Sequence, residues 1–207
     1  MHEQIDHPCV QHKLAIIRDV QTGHKRFREL ATEITKFLCY EALKNIKTRE
    51  VEVETPLATA KCHKIDTDIV VVPILRAGVG MLEGILELVP TARVGFVGLY
   101  RDEETKQPVS YYERFPPQVK GGTCIIIDPM LATGGSTAAA IDVLKREGAG
   151  QIVVICIVTC EEGLTFVERA HPDVPVYTAS IDERLDDNKY IVPGLGDAGD
   201  RLFGTSH

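Results

Sequence analysis

The sequence predicts an α/β protein: a central, mainly parallel sheet covered by helices on both faces. Short β-branched runs at residues 68–74, 94–100, 123–127, 152–158 and 175–179 alternate with helical patterns. Several of these runs, such as 69–72 and 125–127, are apolar throughout, which is how strands buried on both faces read. Parallel strands cannot be joined by a hairpin, so the intervening helices supply the crossovers.

Residues 1–22 read as an N-terminal arm. The first helical pattern covers 24–46, where Phe27, Leu30, Ala31, Ile34, Phe37 and Leu38 recur at helical spacing. The run 68–74 turns through Arg76-Ala77-Gly78-Val79-Gly80 into a second helix that stops before Pro90. After the strand 94–100, residues 101–117 are polar, carry three prolines and two adjacent tyrosines, and lack a helical period. They predict a long loop or a two-stranded flap of the kind that closes over a site. The run 123–127 leads through a loop at 128–135 into a helix over 136–147, with Ser136 as N-cap and Gly148 and Gly150 as its stop. A further helix near 164–170 separates the last two strands. The tail at 193–199 is too glycine-rich for a helix or a packed strand. With no repeat at a period of about 20–50 residues, the reading is a single domain over 1–207.

The chain has 207 residues, 44% hydrophobic and 26% charged, enough to bury a sizeable core. Its 23 Lys and Arg face 30 Asp and Glu, a net charge of −7. That balance argues against gripping extended nucleic acid or an anionic membrane by bulk positive charge. The longest apolar stretch, 152–158, is far short of a membrane span, and residues 1–6 lack the pattern of a signal peptide. The six cysteines include no C-x-x-C pair, so reduced thiols in a cytoplasmic protein are expected rather than a disulfide framework.

In sheets of this kind ligands bind at the carboxyl ends of the strands. Three segments fall there: Arg76 to Gly80, Arg101 onward, and Asp128 to Ser136. The third carries the strongest signal, Asp128-Pro129-Met130-Leu131-Ala132-Thr133-Gly134-Gly135-Ser136. An acid stands at the strand tip, two glycines let the backbone approach a ligand, and the helix start offers unpaired N–H groups to an anion. Thr133, Ser136 and Thr137 add hydroxyls. No lysine follows the second glycine, so this is not a Walker loop. Arg76 and Arg101 could take pyrophosphate oxygens bidentately.

Other patterns are weaker. Gly78-Val79-Gly80-Met81-Leu82-Glu83-Gly84 has the variant spacing G-x-G-x-x-x-G, which favours a plain βα turn over a dinucleotide site. His7-x-Cys9-x-x-His12 and Cys62-His63 match no common zinc spacing.

The segment 128–136 resembles the phosphoribosyl diphosphate (PRPP) loop of type I phosphoribosyltransferases, and its Asp-Pro-Met-Leu form resembles the uracil phosphoribosyltransferase branch. His7-Pro8, Gln11-His12-Lys13, 73–78 and the tail 190–201 support the same likeness over nearly the whole chain. The resemblance implies a type I phosphoribosyltransferase fold with a flap at 101–117 and a uracil-binding hood and tail at 180–207. It implies transfer of the 5-phosphoribosyl group from PRPP to N1 of uracil, giving UMP and pyrophosphate. Mg²⁺ would be the cofactor, brought mainly by PRPP, with no metal ligand assigned on the chain.

By position, Asp128 would hold the ribose hydroxyls within a PRPP-binding stretch formed by Pro129, Met130, Leu131, Ala132, Thr133, Gly134, Gly135 and Ser136. Arg76 and Arg101 would meet the pyrophosphate. Ile191, Gly196, Asp197 and Ala198 would read uracil, and Asp197 would also reach PRPP. Asp128, Arg101 and Asp197 are the expected catalytic residues. The resemblance further implies a homo-oligomer, a dimer or higher, and leaves open activation by a nucleotide such as GTP.

Two departures stand out: Pro129 replaces the second acid of most type I loops, and Cys160 stands where this branch suggests proline. The rival readings are a pyrimidine-sensing RNA-binding regulator on the same fold, a nicotinamide-dependent oxidoreductase using 78–84, and a transferase for a purine base. Net charge opposes the first and the tail motif the last.

Overall fold

Successive residues of a strand face opposite sides of a sheet, and here both sides are apolar. The computed structural model describes residues 1–101 and 108–205, without the side chains of Arg101 and Pro108. The chain begins with β1 (His2–Gln4), α1 (Pro8–Arg18) and α2 (His24–Ala42), followed by the strands β2 (Thr48–Glu54) and β3 (Thr59–Ile65). Next come β4 (Ile69–Leu75), α3 (Val79–Leu88), β5 (Arg93–Val94), β6 (Phe96–Arg101) and β7 (Pro108–Arg114). Then follow β8 (Thr123–Ile127), β9 (Met130–Leu131), α4 (Gly135–Arg146), β10 (Gln151–Cys160) and α5 (Glu161–Ala170). The chain closes with β11 (Val176–Asp182), β12 (Arg184–Leu185), β13 (Ile191–Val192) and α6 (Ala198–Phe203).

The main sheet has the order β1-β11-β10-β8-β4-β6-β7, with β5 beside β4 and β9 beside β10. Every pairing in it is parallel except β6 with β7. The side chains divide by period two. Val71, Ile125, Ile127, Val153, Ile155 and Ile157 face α1, α2, α3 and α6. Val70, Val72, Ile126, Val154 and Cys156 face α4 and α5. Continuous apolar runs are therefore required, since each central strand feeds two cores.

Within 101–117 the structure shows one strand, β7, and it pairs antiparallel not with a second strand of that segment but with β6, from Phe96↔Arg114 to Arg101↔Pro108. Residues 102–107 and the Arg101 side chain lie outside the described residues. Several boundaries move. The first helix ends at Ala42 instead of 46, and the strand expected at 152–158 runs over Gln151–Cys160. The tail is not wholly irregular, because Ala198 and Gly199 open α6, capped by the Asp197 carboxylate on the Asp200 N–H at 2.9 Å.

Part of the arm is a helix. Pro8 at its first position and His7 as N-cap, accepting the Cys9 N–H at 3.1 Å, are its start signal. His7 also stacks on Phe37 with ring centroids 5.8 Å apart, which accounts for its place in the His-Cys-His pattern. The hairpin β2–β3 had a signal as well, with Val51 and Val53 alternating with glutamates.

All six cysteines are free thiols, and burial pushes those of Cys39, Cys124 and Cys156 up to about 12. Among the described residues no helix is long and apolar enough to cross a membrane.

Ile126 is fully enclosed in the sheet's second face. Ile126→Ala should lower unfolding stability by about 3–4 kcal/mol and Ile126→Val by about 1 kcal/mol, read from urea denaturation. Equal losses for the two would contradict the packing described.

Candidate active site

β4 and β8 are neighbours in register up to Pro73↔Ile127, so the segments that follow them emerge side by side. One is the turn carrying Arg76, which is exposed; the other is the loop beginning at Asp128. β6 pairs with β4 at Leu75↔Gly98 and brings Arg101 to the same edge. The structure thus gathers the three segments expected at the carboxyl ends of the strands.

The loop is held from behind by β10, which continues past the end of β8. The Pro129 carbonyl accepts the N–H groups of Ile157 and Val158 at 3.0 and 3.1 Å. Met130 and Leu131 then pair with Val158 and Thr159 as β9. The Thr159 hydroxyl donates to the Leu131 carbonyl at 2.8 Å, and the Cys160 thiol to the Ala132 carbonyl at 3.4 Å. The odd cysteine of the sequence is therefore one of the loop's supports.

At the end of this ladder Gly134 adopts φ 82°, a left-handed conformation that starts α4. A Cβ there would lie 2.8 Å from the Gly163 carbonyl oxygen. Gly134, not Ser136, is the N-cap, and no side chain caps the helix. The first turn contains no acidic residue. Its N–H groups have no carbonyl partner within the helix, and the dipole there favours an anion. Ser136 is exposed and Thr133 half-buried, whereas Thr137 is 3% exposed and packs inward. Two hydroxyls, not three, border the cradle. Leu131 is buried in the core, so only its backbone can face a ligand.

Asp128 is half-buried at the mouth of the loop. Burial pushes its carboxyl up to about 7, against the smaller opposing effect of the Met130 N–H at 3.4 Å. Among the described residues no cationic side chain forms an ion pair with it. A group such as this is ready to accept hydroxyls or meet a metal-bearing ligand.

The glycines of 78–84 serve packing. A Cβ at Gly78 would meet the Ile127 carbonyl at 2.4 Å, one at Gly80 the Leu202 side chain at 2.5 Å, and one at Gly84 the Thr32 carbonyl at 2.6 Å.

The hood leaves the end of β11. β12 and β13 pair antiparallel through Leu185↔Ile191, and β13 packs against β10. Ile191 and Ala198 are buried, while Gly196 and Asp197 are exposed. A network the sequence did not reveal fastens this segment. Arg18 of α1 donates bidentately to Asp182, from Nη2 to Oδ1 at 2.6 Å and from Nη1 to Oδ2 at 2.8 Å. Arg18 also donates to the Gly194 carbonyl at 2.8 Å and to the Ser180 hydroxyl at 3.1 Å. Asp182 accepts the Gly194 N–H at 2.8 Å and the Ser180 hydroxyl at 2.7 Å. Burial alone would raise the Asp182 carboxyl, but these donors outweigh it and hold it below the usual range. Removing either charge alone costs on the order of 3–5 kcal/mol.

The fold places the chain in a class. An adenine phosphoribosyltransferase from Trypanosoma brucei superposes with a TM-score of 0.58 at 15% identity, covering 91% of this chain and 87% of its own. The architecture is that of the type I phosphoribosyltransferases. The family is narrower. The uracil phosphoribosyltransferase family model matches residues 4–205, and the chain belongs to that family. A uracil phosphoribosyltransferase of Clostridium perfringens is 54% identical over 203 residues, 98% of this chain and 97% of its own length. The AQ2163 protein of Aquifex aeolicus superposes with a TM-score of 0.94 at 40% identity, covering 100% of this chain and 99% of its own.

Two outcomes are expected. Gly134→Ala places a Cβ in the left-handed region and against the Gly163 carbonyl, costing about 1–2 kcal/mol or more in thermal unfolding. Asp128→Asn should stabilise the ligand-free protein. Because the native carboxyl holds its proton up to about 7 while the unfolded one loses it near 3.8, wild-type stability falls as pH rises through that window. The melting advantage of the variant should therefore open between pH 4 and 7 and stay constant above, at up to about 4 kcal/mol. A pH-independent difference would contradict the raised value.

Proposed function

We propose that this protein transfers the 5-phosphoribosyl group from PRPP to N1 of uracil, releasing UMP and pyrophosphate. The observation that carries the reading is the loop 128–136: a strand-tip acid, then a left-handed glycine and a helix start that no side chain caps. Membership of the uracil phosphoribosyltransferase family supports the base and the reaction.

In this reading the backbone from Ala132 to Ser136 holds the 5′-phosphate, and Asp128 accepts the ribose hydroxyls. Arg76 neutralises the pyrophosphate, joined by Arg101. Departure of pyrophosphate leaves positive character on the ribose carbon, so the protein's task is to stabilise the leaving group and keep water out. The β6–β7 flap stands at the same edge as the loop and suits that exclusion.

Uracil presents an acceptor, a donor and an acceptor along one edge. Main-chain groups of Ile191 and of Gly196 to Ala198 can match that pattern, and cytosine would leave a buried group unpaired at about 1–3 kcal/mol.

Among the described residues no three His, Cys, Asp or Glu side chains converge on one point. In this reading Mg²⁺ arrives on the phosphates of PRPP and is met by one or two carboxylates, for which Asp128 and Asp197 are available. When bound, the ion would neutralise the pyrophosphate as it leaves.

Incubation with labelled uracil, PRPP and Mg²⁺ should yield UMP, and labelled hypoxanthine should yield no nucleotide. Asp128→Asn should lower turnover at least 100-fold in a folded protein. Since ribose hydroxyls favour the ionised carboxyl, PRPP affinity should weaken as pH falls below about 7 and this dependence should be reduced in Asp128→Asn. Wild-type turnover in that variant would remove Asp128 from the mechanism.

A further inference from the structure

Recognition through main-chain groups demands a backbone held to a fraction of an ångström. The segment between β13 and α6 does not obtain that precision from a ladder. It contains two glycines in the left-handed region, Gly194 at φ 59° and Gly196 at φ 70°. Its residues 193–197 belong to no helix or strand.

Two guanidinium groups from different elements grip it instead, on successive carbonyls. Arg18 donates to the Gly194 carbonyl at 2.8 Å while bound through both nitrogens to Asp182. Arg201 of α6 donates to the Leu195 carbonyl at 2.9 Å and lies over the Phe27 ring at 4.5 Å. Its second nitrogen donates to the Asp19 carbonyl at 2.6 Å, the residue after Arg18. The two arginines thus close a ring through the arm: Arg18, Gly194, Leu195, Arg201, Asp19. Asp182 completes it by accepting the Gly194 N–H at 2.8 Å.

We infer that Arg18 and Arg201 are positioning residues for base recognition, a two-guanidinium brace that sets the backbone of Gly194 to Ala198 against the substrate. This rests on the reading that the hood holds uracil. The brace does more than immobilise. The carbonyl of Leu195 and the N–H of Gly196 belong to one peptide unit, and a charged donor on the carbonyl polarises the N–H into a stronger donor. A hood so prepared favours a base that offers an acceptor at that point.

Arginine is needed because its planar fork reaches two acceptors at once, which a lysine ammonium does not reproduce. Arg18→Lys and Arg201→Lys therefore keep the charge and break the bridging. Arg18→Met/Asp182→Leu provides a second route to the same loss, replacing the buried ion pair by apolar side chains and leaving no stranded charge.

The test is steady-state kinetics on variants whose melting confirms that they are folded. KM for uracil should rise about tenfold or more, KM for PRPP should stay within twofold, and discrimination against cytosine should fall. A lower kcat with both KM values unchanged, or a parallel rise in both, would overturn the brace and leave a structural role. Amide hydrogen exchange separates this from the reaction itself. In Arg18→Lys the amides from Gly194 to Ala198 should exchange at least tenfold faster, whether or not the wild-type chain makes UMP. Unchanged exchange there would overturn the brace, whereas absence of UMP from the wild type would overturn the assigned reaction.

Discussion

The site depends on the unequal lengths of two adjacent strands. β8 has five residues and β10 has ten, and they pair only from Gln151↔Thr123 to Ile155↔Ile127. Beyond that point β10 offers hydrogen-bonding edge with no regular strand beside it, and the chain leaving β8 is drawn onto it through Pro129, Met130 and Leu131. Unpaired backbone groups in a buried strand are costly, so the loop is the partner that β10 requires. Its position follows from that requirement. Asp128 is left at the point where the chain crosses from one strand to the other, and Gly134 where it must turn into α4.

Pro129 lies buried against β10 at the point where the loop leaves β8. The residue uses its carbonyl twice, toward Ile157 and Val158, in the place where most type I loops have a second acid. An acid at that position would add a second negative charge beside a carboxyl that burial already disfavours. The chain as a whole is acidic, at −7, yet the edge that would meet a polyanion holds an uncapped helix start and an exposed Arg76. Local arrangement and global charge are independent here, because fields from solvated carboxylates are screened within about 10 Å.

The central strands were legible because two-sided burial leaves an unbroken apolar run, as in Ile69 to Val72 and Ile125 to Ile127. The phosphate loop was legible because acid, glycines and hydroxyls fall within nine residues. Helix capping was misread at Ser136, since a left-handed glycine starts this helix without a side-chain cap. α1 and the β2–β3 hairpin carried signals, Pro8 and the Val51–Val53 alternation, that are weak beside the core strands. The bond between Arg18 and Asp182 had no local signal, because its partners stand 164 positions apart. Nothing in the neighbourhood of either residue distinguishes it from a solvated charge.

That same pairing has a consequence for how the molecule is made. His2 to Gln4 pairs with Val176 to Thr178, and Arg18 closes on Asp182 and Gly194. The arm leaves the ribosome well before its partners and cannot find its place until some 170 further residues have followed. Val10, Leu14 and Ile17 of α1 belong to the core beside the first face of the sheet, so that face and the segment after β13 are both completed only when the arm docks. The segment around Gly194 is therefore fastened last in biosynthesis, and in the proposed reading a chain cut short before Gly194 would carry the 128–136 loop without a seat for the base.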